Sequence, residues 1–478
     1  MKHVYSQKGF PGMHATALTQ VQTDACTAHL TASSPSLAQH LVTFLELVLV
    51  QSPHERTEMA TAGKRPRGAP AKLPMQQVWL AVLTGTIRQA KHMSSIWRTL
   101  CLENTRTCPA VHLTYEAMRK RVLSAGTQPL HELFASLAVA LASWALAQQP
   151  SALGVAGCAA QVVALDETTL DGVRRLTQEL RDLPKGDPHV LVGKLAGLFD
   201  LRLQLRADVL AGCHIGVLTL LAGLPTGSLI LADLGYFSFP WVEYLTEQGY
   251  FWVSRLKERS TYQIKELLAY DDRQGLLDAI VWLGKYRADR AGNAVRLVIF
   301  SSGDRQYGYL TNVLDPTHLS MQDIAQVYAR SFDSALAFKL LTCELGLQIW
   351  WAARPELVMI QVWVALILAQ ILHALQVHVA LQAEVEAFDS SLHVMVDLLG
   401  SMPAGPTPVL DRLIEEGRFL GLSRPSTRLR IVVPELEPHM LCPVPVLKDL
   451  TRHARSAQRN PHPRTVPFVS RFLTQLFM

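Results

Sequence analysis

Two aspartates close short runs of aliphatic residues: Asp166 ends QVVALD and Asp233 ends GSLILAD. Ligands of open α/β sheets sit in the crevice beyond the carboxyl ends of the strands, so two neighbouring strands would bring these carboxylates together there. Like charges held that close call for a counterion. A divalent cation such as Mg²⁺ takes one or two carboxylates and keeps its other positions for water or phosphate oxygens. The chemistry on offer is metal-assisted phosphoryl transfer. A plainer use stays open beside it, because Asp commonly caps the turn or helix that follows a strand.

The elements that must position these residues are legible from periodicity. From Gln161 the chain carries short runs, QVVALD, KLAGLFDLRLQLRADVL and GSLILAD, whose unbroken apolar stretches VVAL and LILA imply strands buried on both faces. Residues 249 to 315 are strand-like again (YFWVSRLK, AVRLVIFSS, YGYLTNVLD), and the chain turns helical after Pro316. Ahead of this core, Met75 to Leu100 has helical spacing, and Thr114 is the expected N-cap of a helix through LTYEAMRKRVL. The expected division is a helical region over 1–150, a core over 151–390 with inserted strands at about 240–320, and a basic, Pro-rich extension over 391–478.

Composition allows this size of fold. Of 478 residues, 49% are hydrophobic and 18% charged, enough apolar surface to offset chain entropy over more than one core. The net charge of +5 favours a polyanionic partner without identifying one. Lys64, Arg65 and Arg67 lie in a Gly/Pro-rich loop, Arg119, Lys120 and Arg121 follow Thr114 by about a turn, and a further basic cluster runs from Arg452 to Arg464. Each suits contacts to a DNA backbone, and each equally suits a solvated surface. The seven cysteines form no C-x-x-C pair, the histidines no zinc-ligand spacing, and no phosphate-cradling P-loop is present. The N-terminus lacks the apolar core of a secretion signal, which makes the cytoplasm the expected location. Two apolar stretches, Leu133 to Ala147 and Val358 to Leu375, are expected to be buried helices rather than membrane spans, the first for its length and the second for Gln361, Gln370 and His373.

The segments ALDETTLDGVRRL and LILADLGYFSFPWVEYL resemble the first and second acidic motifs of bacterial insertion-sequence transposases of the DDE class, in the family numbered four. In spacing, VYARSFDSALAFKLLTCELGL is similar to that family's signature, Y-x-x-R-x-x-x-E-x-x-x-x-x-x-K. The resemblance runs from about Gln161 to Leu375 and implies a ribonuclease H-like mixed sheet flanked by helices, with strands inserted between the second and third acids. It also implies a Mg²⁺ pair (Mn²⁺ substituting), double-stranded DNA at element ends as substrate, and a homodimer on that DNA. Asp166 and Asp233 become metal ligands and Tyr328 a helper that positions a phosphate or a carboxylate.

The third motif departs from the family. Counting from Tyr328, the Arg, Glu and Lys positions hold Ser331, Ala335 and Thr342, and Phe338 and Lys339 fix the register. Asp333 would point roughly 200° away from Ala335 on a helix, and Glu344 lies roughly 13.5 Å further along the axis. Impaired catalysis, or a DNA-binding remnant that no longer cuts, is therefore expected.

Overall fold

The computed structural model describes residues 75–102, 111–148, 156–169 and 194–442, apart from 204, 213–216, 258–259, 285–290, 348, 353, 402–408 and 425–430. Among the described residues four helices come first: α1 (Met75–Ile87), α2 (Met93–Leu102), α3 (Tyr115–Ala125) and α4 (Gln128–Gln148). Thr114 caps α3 as expected, its side chain accepting a hydrogen bond from Ala117 N at 3.3 Å. The sheet then alternates with helices: β1 (Val162–Thr169), β2 (Lys194–Asp200), β3 (Leu205–Gly212), α5 (Val217–Leu221), β4 (Leu229–Ala232), α6 (Phe239–Glu247) and β5 (Phe251–Arg255). Four more strands follow, β6 (Tyr262–Asp271), β7 (Leu276–Leu283), β8 (Val295–Ser302) and β9 (Arg305–Thr311). The helices α7 (Met321–Ala329), α8 (Phe332–Lys339), α9 (Pro355–Gln382), α10 (Leu392–Ser401) and α11 (Val409–Glu416) complete the order.

The described strands form one nine-stranded sheet in the order β3-β2-β1-β4-β5-β9-β8-β7-β6. β1, β4 and β5 are parallel, while β2 is antiparallel to both β1 and β3. This five-stranded half, with helices on both faces, is an α/β, ribonuclease H-like core. Alternation explains the unbroken apolar runs: Val162, Ala164, Leu229 and Leu231 pack with α7, whereas Val163, Leu165 and Ile230 pack with α5 and α6.

The inserted strands lengthen the same sheet. The meander β6 to β9 is antiparallel throughout and returns so that β9 pairs with β5. Asn312 finishes that junction: its Oδ1 accepts from Trp252 N at 2.9 Å and its Nδ2 donates to Tyr250 O at 2.8 Å. The inserted strands span 262–311, narrower than the expected 240–320, because α6 and β5 belong to the core through the parallel β4–β5 pairing.

Helix α9 is apolar all round and accordingly buried. Within Glu356–Gln382 its most apolar 18 residues have a mean hydropathy of 2.1 and are 94% buried, sharing one cluster with residues of α1 to α4. Of the polar residues that argued against lipid, Gln361 braces a loop, accepting from Trp351 N at 3.0 Å and donating to Ile349 O at 2.8 Å, and His373 packs its ring 5.3 Å from that of Phe199. Gln376 of the same helix also braces a loop, donating to Ser390 O at 2.7 Å. The other long apolar helix, α4, departs from the expectation of burial. Its apolar stretch is only 33% buried and Val139 is 58% exposed, because one face alone rests on α9.

Candidate active site

Strand register brings the two predicted aspartates together. Leu165 of β1 pairs with Ala232 of β4, so the next residues, Asp166 and Asp233, stand side by side where the β1–β4 pairing stops. Asp233 follows the last residue of β4, whereas β1 runs on past Asp166 to Thr169 because β2 continues to pair with it, so Asp166 does not close its strand as the sequence suggested. Neighbouring strands are about 4.8 Å apart. Both residues follow by two positions the members of their strands that face α7, Ala164 and Leu231, so both side chains emerge on that face. Asp166 is half-buried and Asp233 exposed.

Each carboxylate also has a local partner. Asp166 Oδ1 accepts from Glu167 N at 2.8 Å. Asp233 caps the short 3₁₀ turn Leu234–Tyr236, accepting from Gly235 N at 3.2 Å, so its use as a cap is realised as well. The cap uses Oδ2, and among the described residues Oδ1 accepts no hydrogen bond.

Two tyrosine hydroxyls sense this pair. Burial, then the charges of Glu167 and Asp166, push the Tyr236 hydroxyl far up, with Asp233 adding to the shift. The Tyr328 hydroxyl is also raised, by burial first, with Arg255 opposing the shift and Asp233 adding to it. Tyr328 sits in the last turn of α7, its ring 4.9 Å from that of Tyr309 on β9. Both tyrosines stay protonated near neutral pH and can donate a hydrogen bond to an anionic oxygen.

The helix that should deliver the third acid is α8. Its inward residues are Asp333, Ser334, Ala337 and Phe338, while Ala335, Leu336 and Lys339 are exposed. Ser334 is the residue that reaches the pair: its Oγ lies 3.4 Å from Asp166 Oδ2, although its closer acceptor is Ser331 O at 2.8 Å. Asp333 is buried at 3% exposure on this inner face. Ser331 and Thr342 turn their hydroxyls onto their own backbone, to Tyr328 O at 2.7 Å and Phe338 O at 3.0 Å. Glu344 is committed elsewhere, with its Oε2 2.7 Å from His393 Nδ1 of α10.

The pair fits a divalent cation held by two carboxylates, with water and substrate oxygens completing the shell. Among the described residues no group of three or more His, Cys, Asp or Glu side chains is arranged around one point.

The predicted DNA contacts divide. Arg119 is tied to Glu116 by a two-pronged hydrogen bond of 2.9 and 2.8 Å, Lys120 is exposed and Arg121 half-buried, all on α3. Lys64, Arg65 and Arg67 lie outside the described residues, as does the cluster from Arg452 to Arg464. Sequence reasoning missed Tyr236, Ser334 and Arg255. Arg255 carried a usable signal, since it closes the apolar run FWVSR just as Asp166 closes QVVALD.

Fold and site together define an α/β protein with a ribonuclease H-like core and two acids side by side on adjacent parallel strands. Residues 213–330 match the family described as Transposase DDE domain. The matched segment includes Asp233, Arg255, the inserted strands and Tyr328, and excludes Asp166 and α8. No curated protein matches the chain. Among solved structures it is similar to a cryo-EM structure of a piggyBac transposase synaptic complex with hairpin DNA, at 11% identity and a TM-score of 0.35 over 83% of this chain and 87% of that one. A likeness that slight carries no argument.

Proposed function

We propose that this chain is a DDE-type transposase of an insertion element, related to the family numbered four, that cleaves and transfers double-stranded DNA at element ends. The observation that carries this reading is the β1–β4 register, which sets Asp166 beside Asp233 on one face of the sheet. The two carboxylates would hold Mg²⁺, or Mn²⁺ in its place. When bound, the cation polarises the phosphodiester and makes water or a 3′-hydroxyl a better nucleophile. The protein's own part is placement. Asp166 is oriented by Glu167 N and approached by Ser334, Asp233 is held by its turn, and Tyr328 supplies a donor for a phosphate oxygen. The reading places the chain in the cytoplasm, as a homodimer on DNA, with Lys64, Arg65, Arg67 and the Arg119–Arg121 triplet as backbone contacts.

A second reading, a remnant that binds element ends without cutting them, is favoured by Ser334 and Ala335, since neither can ligate as a carboxylate. A Mg²⁺-dependent nicking assay on DNA carrying the element ends separates the two. Cleavage by the purified chain removes the remnant reading. Combining Ser334→Glu with Ser331→Arg and Thr342→Lys is expected to restore nicking, because Ser334 is the residue of α8 that faces Asp166. Ala335→Glu in place of Ser334→Glu should not, because Ala335 is exposed, and silence from every such variant counts against the lineage.

A further inference from the structure

We propose that Arg255 grips the substrate's phosphate at this site, supplying the positive charge that Ser331 and Thr342 of the third motif lack. The inference rests on the DNA-processing reading above. Leu231 of β4 pairs with Val253 of β5, and continuing this parallel register by two residues places Arg255 beside Asp233. Val253 packs with Ala164 and Leu231 on the α7 face, and Asp166, Asp233 and Arg255 each lie two residues beyond one of these three. Alternation therefore puts two carboxylates and a guanidinium in one row, on one face, with a strand spacing of about 4.8 Å between neighbours.

The Arg255 side chain is exposed and makes no ion pair with a carboxylate among the described residues. Tyr328 stands close enough to feel both Arg255 and Asp233. A guanidinium binds phosphate by two parallel N–H···O bonds, so it fixes orientation as well as charge. A substrate phosphate drawn to the Asp166–Asp233 pair would come within reach of Arg255 and the Tyr328 hydroxyl. The Arg and Lys positions of the third motif hold Ser331 and Thr342, which carry no charge, so this role falls to β5 instead of the helix.

The test uses the full-length chain and a fluorescent DNA duplex, with affinity measured across a series of salt concentrations. Each phosphate neutralised contributes about 0.9 to the slope of log affinity against log salt. Arg255→Ala is expected to lower the slope by about that amount and to weaken binding to all sequences alike. Arg255→Lys should keep the slope while losing part of the affinity, because a point charge replaces the fork. A wild-type slope in the Lys variant also excludes a folding defect as the cause of the Ala result. Arg273→Ala, at the exposed turn between β6 and β7, should leave both quantities unchanged. An Arg255→Ala chain with the wild-type slope overturns the assignment alone. A wild-type chain with no salt-dependent DNA binding overturns the transposase reading and this inference with it.

Discussion

The two halves of the sheet treat charge in opposite ways. In the inserted half, Arg296 of β8 and Asp278 of β7 are 0% and 1% exposed, joined by two bonds of 2.8 and 2.6 Å, and Arg296 also donates to Leu319 O at 2.6 Å. That pair is matched inside the protein and ties the insertion to the chain just ahead of α7, the helix that carries Tyr328. In the core half, Asp166, Asp233 and Arg255 stand in a row where the parallel pairing of β1, β4 and β5 stops, half-buried or exposed, where an outside ligand can reach them. A charge completed from within holds structure, and a row open at the sheet's edge is available for chemistry.

The largest effect should come from breaking the enclosed pair. Asp278→Ala leaves Arg296 buried without its counterion and is expected to cost about 3–5 kcal/mol in urea unfolding. Replacing both partners with apolar residues of similar volume, Asp278→Leu with Arg296→Met, should recover most of that loss. A small cost for the single change would erase the contrast between the halves.

The open row should respond in ligand binding instead. Asp166→Asn or Asp233→Asn is expected to weaken Mn²⁺ binding by more than the roughly 10- to 100-fold typical of residues that merely support a ligand. Stability in the absence of metal should change little, and a titration calorimeter paired with a thermal melt reads both quantities. Loss of stability without loss of cation affinity would make these aspartates structural caps only.

Where the halves meet, Asn312→Ala removes the partners of Trp252 N and Tyr250 O and should cost about 1–3 kcal/mol by urea unfolding. A value near zero would mean that Asn312 adds nothing to the β5–β9 ladder at this junction.

The smallest effect lies beyond α8. Glu344, with help from Asp397, raises the His393 pKa above 6.5, while burial and Lys339 oppose the rise. Folding therefore favours the protonated ring, so its stabilisation is complete below the unfolded value and fades as pH climbs from 6.5 through the raised value. Because the His393 side chain is 62% exposed, solvent screening keeps the contribution below about 1 kcal/mol. Comparing the wild-type chain with His393→Gln at acid and alkaline pH should show an advantage at the acid end only.

Much of the core was readable from the sequence because its signals are local. Unbroken runs such as VVAL and LILA require burial on both faces, and the structure supplies helices on both. Thr114 announces the start of α3 through its own side chain. The exposed face of α4 was not readable, since composition reports that a helix is apolar and says nothing of how many neighbours cover it. The phase of α8 was equally hidden. Motif counting selects position 335, but packing against β1 decides which residue turns inward, and it turned Ser334 toward Asp166.

What the sequence by itself determined is that Asp166 and Asp233 each close a buried apolar run, since an apolar run closed by a carboxylate is a property of a few consecutive residues; that β1 continues past Asp166 to Thr169 depends on its pairing with β2. That these ends are neighbours, in register and on one face with Arg255, was decided only by tertiary structure. Strand order and register arise from pairing between segments far apart in the chain, and a slip of one residue in β4 or β5 would have turned the same side chains to the opposite face.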